Sequence, residues 1–289
     1  MLRKVKHIQA AAAAIALAFV GVPAVASAHE GDFAKFNYCP STTPGVAKCL
    51  DSVTTGGKVV LGKKTTPIVN PVTLQGGYSE ENEVGESTFY AATNGETLSK
   101  TPQPVPGGLA GIVPPESAPP IVKEALELVF DNGLTGVNAT LELAKPASEI
   151  RINEYELLAA EGIALKLPVK VHLENPFLGG SCYVGSSSHP LIWNLTAGTT
   201  SPPAGYEAIT GKPGYPSFKD EYRIAEISEN ELVENDWEAP KATGCGGILS
   251  LLVDPIIDET VGLPAEAGVN VARLENQIAE SPAAAVNKH

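Results

Sequence analysis

Every odd-numbered position in residues 163–174 is apolar, and the even-numbered positions are mostly polar: Lys166, Lys170, His172 and Glu174. Successive side chains of an extended chain point to opposite faces, so this alternation predicts a long β-strand with one buried and one solvated face. Pro168 lacks the N–H that a strand ladder uses. We therefore expect the strand to be an edge strand, bulged, or split at Pro168.

Shorter segments with strand-like patterns recur along the chain and are joined by turn-rich sequence. They lie at 58–62, 67–69, 71–74, 87–91, 137–143, 150–152, 191–195 and, as two strands, 222–237. Gly56 and Gly57 are placed to form a hairpin turn between residues 52–54 and 59–61. This spacing favours antiparallel strands in a sandwich over alternating strands and helices.

Helical periodicity occurs at residues 120–130, and Asp254, Pro255 and Gly262 indicate the start and end of a second helix. Ala267, Val271, Leu274 and Ile278 have the spacing of one face of a third helix. Residues 281–289 are expected to be disordered. The predicted fold is mainly β, antiparallel and sandwich-like, with two or three peripheral α-helices.

The first 28 residues have the pattern of a signal peptide. Three basic residues precede an apolar stretch at 8–22, and Ala26, Ser27 and Ala28 stand just before His29. The stretch is shorter than the roughly 20 residues of a membrane span, although a retained membrane anchor is the alternative. We expect a mature exported domain over 29–289, secreted or associated with the cell wall. The Pro- and Gly-rich segment 102–120 is either a linker between two domains or a long loop within one.

The mature chain is acidic. Cleavage removes three of the 20 basic residues and none of the 33 acidic ones, which leaves a net charge of −16. Nucleic acids and anionic membranes attract basic surfaces, so neither is an expected partner. No later stretch is apolar enough to span a membrane, and the glycines of 107–111 match no phosphate-binding or dinucleotide motif, so no cofactor is expected.

An even number of cysteines in an exported chain predicts disulfides. Four cysteines allow three pairings. We favour Cys39 with Cys49 and Cys182 with Cys245, because a turn-rich segment separates the first two. A zinc site is the alternative, but the chain has no C-x-x-C pair.

Candidate catalytic residues are few. His172 falls on the polar face of its strand, and His189 follows Ser186, Ser187 and Ser188 without a G-x-S-x-G motif. The acidic residues of 220–238 provide carboxylates for glycoside hydrolysis, but such density is also typical of an acidic surface. Four glutamates within 80–86 lack the spacing of a calcium loop. We assign no catalytic or metal-binding residue.

The segments LPVKVHLENPFLGGSCYVGSSSHPLIWNLTAGTTSPP, ATGCGG and GLPAEAGVN resemble a group of uncharacterised exported proteins of actinobacteria. The resemblance covers most of residues 137–270. It implies export and a shared architecture, and no activity is attached to the group.

The segment 198–222 concentrates aromatic residues among glycines and prolines: Tyr206, Tyr215, Phe218 and Tyr222. Exposed rings stack on sugar or peptide faces, so this is the candidate binding surface, with a cell-wall polymer as the candidate partner. The alternative is that the rings turn inward and fix the loop. The sequence favours a non-catalytic extracellular or envelope protein. A glycan-binding module or a hydrolase of cell-wall polysaccharide is the alternative, and a hydrolase should show buried carboxylates or His172 in a cleft.

Overall fold

The computed structural model describes residues 29–83, 85–110, 119–221 and 223–289. The predicted signal peptide, Tyr222 and residues 111–118 of the segment 102–120 lie outside the described residues. One hydrophobic core contains residues from both sides of that segment, for example Leu98, Val122 and Val171.

The chain is mainly β, as predicted. The strands are β1 (Lys48–Leu61), β2 (Lys64–Pro67), β3 (Val72–Tyr78), β4 (Ser87–Ala91), β5 (Gln103–Val105), β6 (Val137–Leu143), β7 (Arg151–Ile152), β8 (Leu165–Glu174), β9 (Tyr183–Val184), β10 (Leu191–Leu195), β11 (Tyr215–Lys219), β12 (Ile224–Glu234), β13 (Ala242–Thr243) and β14 (Val271–Pro282). The helices are α1 (Pro120–Asp131), α2 (Glu154–Ala159), α3 (Ser250–Val261) and α4 (Ala283–Val286).

All the strand pairs are antiparallel, and hydrogen bonds connect them into one sheet. The main order is β11-β12-β14-β1-β3-β4-β7-β8-β6-β5, and β10 adds to β8. Thr196, just after β10, exchanges backbone hydrogen bonds of 3.0 and 2.8 Å with Val233 of β12. The sheet therefore curls so that its two parts meet, with the core between them. The antiparallel β class is confirmed, whereas a sandwich of two separate sheets is not.

The long strand β8 lies at the centre of one part of the sheet. Its odd-numbered residues Leu167, Val169, Val171 and Leu173 are buried, as the alternation predicts. The Pro168 carbonyl accepts a hydrogen bond from Ala144, so the nitrogen of Pro168 points to the same side. On that side the neighbour changes from β6, which ends opposite Val169, to β7, which begins opposite Lys166. The missing N–H thus falls in the gap between two partner strands. β8 itself runs unbroken from Leu165 to Glu174 with partners on both sides, so the expectation of an edge strand, a bulge or a split at Pro168 is wrong.

The predicted hairpin at Gly56 and Gly57 is wrong. β1 continues through both glycines, with a bulge between Thr54 and Gly56 in its pairing with β14. Gly57 has φ +100°, and a Cβ there would lie 2.0 Å from the carbonyl oxygen of Arg273. The glycines therefore permit a bulge and a close approach of two backbones, rather than a turn. Similarly, residues 224–234 form the single strand β12 instead of two strands.

The helix predicted from Ala267 to Ile278 is also wrong, because these residues belong largely to β14. Ala272, Leu274, Asn276 and Ile278 are buried while Glu275 and Gln277 are exposed, which is the period of a strand. The predicted disorder of residues 281–289 is likewise contradicted. Ala283 and Val286 of α4 pack with Phe33 and Phe36 in a small second core, and the His289 ring stacks on Phe33 at 4.2 Å.

The other predicted helices are present as α1 and α3, but α3 begins at Ser250 instead of at Asp254 and Pro255, so Pro255 lies inside the helix. Pro120 begins α1, and Gly262, in the left-handed region at φ +81°, ends α3. The four cysteines form the favoured pairs Cys39–Cys49 and Cys182–Cys245. The second bond joins the β8–β9 connection to the segment that leads into α3.

Candidate functional site

The inner face of the curled sheet contains three cavities in a row. We call them the helix-side cavity, of about 80 Å³, the middle cavity, of about 30 Å³, and the Glu280-side cavity, of about 50 Å³. Strand β1 runs along all three: Val59 and Leu61 line the first, Ser52 and Thr54 the second, and Leu50 and Ser52 the third.

The helix-side cavity is lined by β1, β2, β6, β8 and α3, and its wall is mainly apolar although β2 contributes Lys64 and Thr66. Its lining includes Ile68, Val137, Leu141, Val171, Leu173, Ile257 and Val261. The buried amide of Gln103 is also in the wall, but its oxygen accepts from the N–H groups of Val69 and Asn70 at 2.9 and 3.0 Å. The Gln103 amide nitrogen donates to the Asn70 carbonyl at 2.8 Å. This amide is therefore satisfied by the backbone, and the wall offers mainly apolar contacts.

The middle cavity shares wall residues with both neighbours. Ile68, Val72 and Leu141 line it together with the helix-side cavity, and Ser52, Leu74, Leu165 and Leu232 line it together with the Glu280-side cavity. Thr54 donates to the Asn276 oxygen at 2.7 Å, and Asn276 donates to the Asn230 oxygen at 3.1 Å. Trp193 also lines this cavity, and its buried Nε1 has no hydrogen-bond partner among the described residues. The three cavities are therefore neighbours in the core, and shared wall residues lie between them.

The Glu280-side cavity has two carboxylates in its lining, Glu154 of α2 and Glu280 of β14. Glu280 has the same parity as the buried Leu274, Asn276 and Ile278, so it lies on the inner face of β14. Asn153 caps α2 by accepting from the Glu156 N–H at 3.0 Å. This cap fixes the start of the helix that carries Glu154.

A hydrogen-bonded group surrounds these two carboxylates. The Tyr78 hydroxyl donates to Oε2 of Glu280. The Lys48 ammonium donates to both oxygens of Glu154, at 2.6 and 2.5 Å, and lies 5.9 Å from the centre of the Tyr78 ring. Lys48 and Tyr78 are cross-strand partners in β1 and β3. The inner face thus changes from apolar to ionic at this end of the row.

Burial raises the pKa of Glu280 above its usual value, and the charge of Glu154 raises it further. The Tyr78 hydrogen bond and the charge of Lys48 act in the opposite direction but do not cancel the effect. Burial and the same carboxylates hold the pKa of Tyr78 well above its usual value, so Tyr78 remains a hydrogen-bond donor. This end of the row can bind a polar or charged group, whereas the walls of the other two cavities are mainly apolar.

His172 lies on the outer face of β8, as its parity predicts, and lines none of these three cavities. Its ring stacks on Tyr183 at 4.4 Å, and Nδ1 is 3.6 Å from Glu142. His189 is in an exposed turn, where its Nδ1 is 3.1 Å from the Ser188 hydroxyl. His189 is exposed, whereas the His172 side chain is largely buried, and its Nε2 has no hydrogen-bond partner among the described residues.

The acidic residues of 220–238 are distributed along β12 and the segments that flank it. Glu226 forms ion pairs with Lys35 and Lys219, and the buried Glu231 pairs with Arg273. The two carboxylates of the candidate site, Glu154 and Glu280, lie outside this acidic segment. Among the described residues, no group of three or more His, Cys, Asp or Glu side chains is arranged to hold a metal ion.

The described aromatic residues of the 198–222 segment are exposed, by 41% at Tyr206, 67% at Tyr215 and 58% at Phe218. Tyr215 and Phe218 are three positions apart in β11, so they lie on opposite faces of this edge strand. They therefore do not form a common stacking surface with each other. Tyr206 lies against Gly268, where a Cβ would be 2.2 Å from its ring.

The residues that sequence reasoning missed are Glu280 and Glu154. The even-numbered positions 272–280 contain Ala, Leu, Asn, Ile and Glu, and that alternation was the available signal for an inward-facing Glu280. Glu154 lies in a helix of six residues, which is too short to show a clear period.

No family model, no curated protein and no solved structure matches this chain. The resemblance to exported actinobacterial proteins stays a prediction. In the part of the chain that the structure describes, no helix is long and apolar enough to cross a membrane.

Proposed function

We propose that this protein is an exported, non-catalytic binding protein that holds a linear aliphatic chain inside its curled sheet. The observation that carries the proposal is the row of three cavities that share apolar walls. Protein interiors are normally close-packed, so a row of gaps along one strand is unusual. At roughly 24 cal/mol per Å³, an empty helix-side cavity alone would cost about 2 kcal/mol of stability.

The shape of the row favours a slim chain over a ring system. The middle cavity, at about 30 Å³, is the narrowest part. Each methylene of a ligand that is buried in such a cavity contributes about 0.8 kcal/mol to the binding free energy, because it is removed from water. A polysaccharide would need hydrogen-bond partners along its length, and the helix-side and middle cavities supply few. The walls therefore support chain binding better than glycan hydrolysis.

Export is part of this proposal. The two disulfides and the signal-like residues 1–28 both fit an oxidising compartment outside the cytoplasm. A long aliphatic chain is poorly soluble there, and a protein interior shields it from water. Intact-mass analysis of the secreted protein should show a mature N-terminus at His29. A secreted form that retains residues 8–22 would contradict export by cleavage.

Binding can be tested with hexadecanol, followed by native mass spectrometry and thermal melting of the mature protein. We expect a one-to-one complex and a raised melting temperature. Ala139→Phe places a ring in the helix-side cavity and should abolish binding. Asn138→Phe, one position away on the exposed face of β6, is the matched control and should bind as the wild type does. No complex with the wild type, or equal binding by Ala139→Phe, would overturn the proposal.

A second candidate function is contact with a cell-wall glycan through β11. It is favoured by the high exposure of Tyr215 and Phe218 on an edge strand. A pull-down with isolated cell wall tests it, with Tyr206→Ala and Tyr215→Ala as separate variants. Loss of binding by Tyr215→Ala at an unchanged melting temperature would support glycan contact. A wild-type protein that stays in solution would exclude it.

A further inference from the structure

We infer that the aliphatic ligand ends in a cationic amine, and that this amine lies in the Glu280-side cavity. The inference rests on the proposed function, because it assigns the polar end of the chain that the cavity row holds. It follows from where the ionic groups lie along the row and from which of their hydrogen-bonding positions are already used.

The Glu280 carboxylate is only partly used by its neighbours. In the described part of the chain, Oε2 accepts from Tyr78, and no donor is found at Oε1. Ser52 lies in the same wall and lines the middle cavity as well. An ammonium group in this cavity can donate to the Glu280 carboxylate, and the Ser52 hydroxyl is a further acceptor in the wall. Charge-assisted hydrogen bonds of this kind are stronger than neutral ones.

The group around the cavity carries an excess of negative charge. Lys48 is already paired with Glu154, and Glu81 accepts a hydrogen bond from the Glu154 N–H at 3.2 Å. Burial alone would lower the pKa of Lys48. Its hydrogen bond with Glu154 and the charges of Glu280, Glu154 and Glu80 nevertheless raise that pKa above its usual value. The direction of this shift indicates a negative potential, which favours a second cation beside Lys48.

The opposite end of the row has the opposite charge. Lys64 lines the helix-side cavity together with apolar residues, so an anionic ligand would place its carboxylate there. The net charge of −16 for residues 29–289 opposes an anionic ligand and attracts a cationic one. The charge of the whole protein and the local group at Glu280 therefore point to the same ligand class.

Three probes of equal chain length test the inference: hexadecylamine, hexadecanol and hexadecanoate, titrated at neutral pH and below their aggregation concentrations. We expect the wild type to bind the amine at least about tenfold more tightly than the alcohol, and the carboxylate most weakly. Glu280→Gln should lower the amine affinity to about that of the alcohol. Glu149→Gln removes an exposed carboxylate and should leave the amine preference unchanged, which controls for attraction to the acidic surface.

The two proposals fail in different ways. If none of the probes binds, the proposed function is wrong. If the alcohol and the amine bind equally, or if Glu280→Gln keeps the preference, chain binding stands and the amine assignment is wrong. Tightest binding of hexadecanoate, lost in Lys64→Gln, would reverse the orientation. The wild-type comparison decides the headgroup even if Glu280→Gln does not fold.

Discussion

Tyr78 and Glu280 lie on the two strands that flank β1, and the Tyr78 hydroxyl donates a hydrogen bond to Oε2 of Glu280. This bond spans β1 on the inner face of the sheet, where a phenol and a carboxylate end a row of apolar cavities. It links Tyr78, whose pKa is raised well above its usual value, to the carboxylate that we assign to the ligand's polar end.

The pH dependence of stability follows from the raised pKa of Glu280. A carboxyl group whose folded-state pKa exceeds its unfolded value binds its proton more tightly in the folded state. Its contribution to stability therefore increases as the pH falls through the folded-state pKa, and levels off below the usual pKa of glutamate. We expect Glu280→Gln to melt a few degrees above the wild type at pH 8 and at nearly the same temperature at pH 4.

Differential scanning calorimetry of both proteins across this pH range isolates Glu280, because the other carboxyls with a shifted pKa are common to both: Asp51, Glu226, Glu234 and Asp258. A difference in melting temperature that grows toward acid pH would contradict the account of Glu280.

The two disulfides should differ in their effect on stability. They close separations of 10 and 63 residues, so the loop-entropy model assigns about 3 kcal/mol to Cys39–Cys49 and about 4 kcal/mol to Cys182–Cys245. Urea denaturation of the two double alanine variants is the measurement. We expect the Cys182→Ala, Cys245→Ala protein to be the less stable of the two, and the reverse order would show that local packing outweighs loop length.

Asp254 joins α3 to the segment that contains Cys245. Its carboxylate accepts from the Cys245 N–H at 2.7 Å and from the Gly244 N–H at 3.2 Å. Hydrogen bonds to a charged group contribute about 1.5–3 kcal/mol each to stability, with partial overlap when they share one carboxylate. Asp254→Asn should lower the melting temperature, while Glu259→Gln, at an exposed position of the same helix, should not. Equal melting temperatures for the two variants would show that the hydrogen bonds accepted by Asp254 do not stabilise the protein.

The sequence predicts the scaffold well where one physical pattern dominates. In β8 the alternation is compatible only with a strand, and its buried face and the position of His172 on the opposite face both follow from that. In β14 the apolar residues fit both a helical and an extended spacing, and the tertiary pairing with β1 and β12 decides for the strand. Glu280 was missed for this reason, because a helix would have placed it toward solvent.

The cavity row was not predictable from the sequence. Its walls combine β1, β3, β6, β8, β12, β14 and α3, whose residues are distant in the chain. Leu141 and Leu274, for example, both line the middle cavity. Whether such side chains fill the space between them depends on the curl of the sheet. That curl is set by long-range contacts, such as the hydrogen bonds between Thr196 and Val233.

The most direct test of the central claim is a crystal structure of the mature protein with hexadecanol that carries bromine at the end opposite its hydroxyl. The anomalous signal of bromine locates the end of the chain without assumptions about its path. We expect one bromine peak in the helix-side cavity, beside Ile257 and Val171, with the hydroxyl toward Glu280. A bromine peak only at the protein surface, or none inside the sheet at saturating ligand, would contradict it.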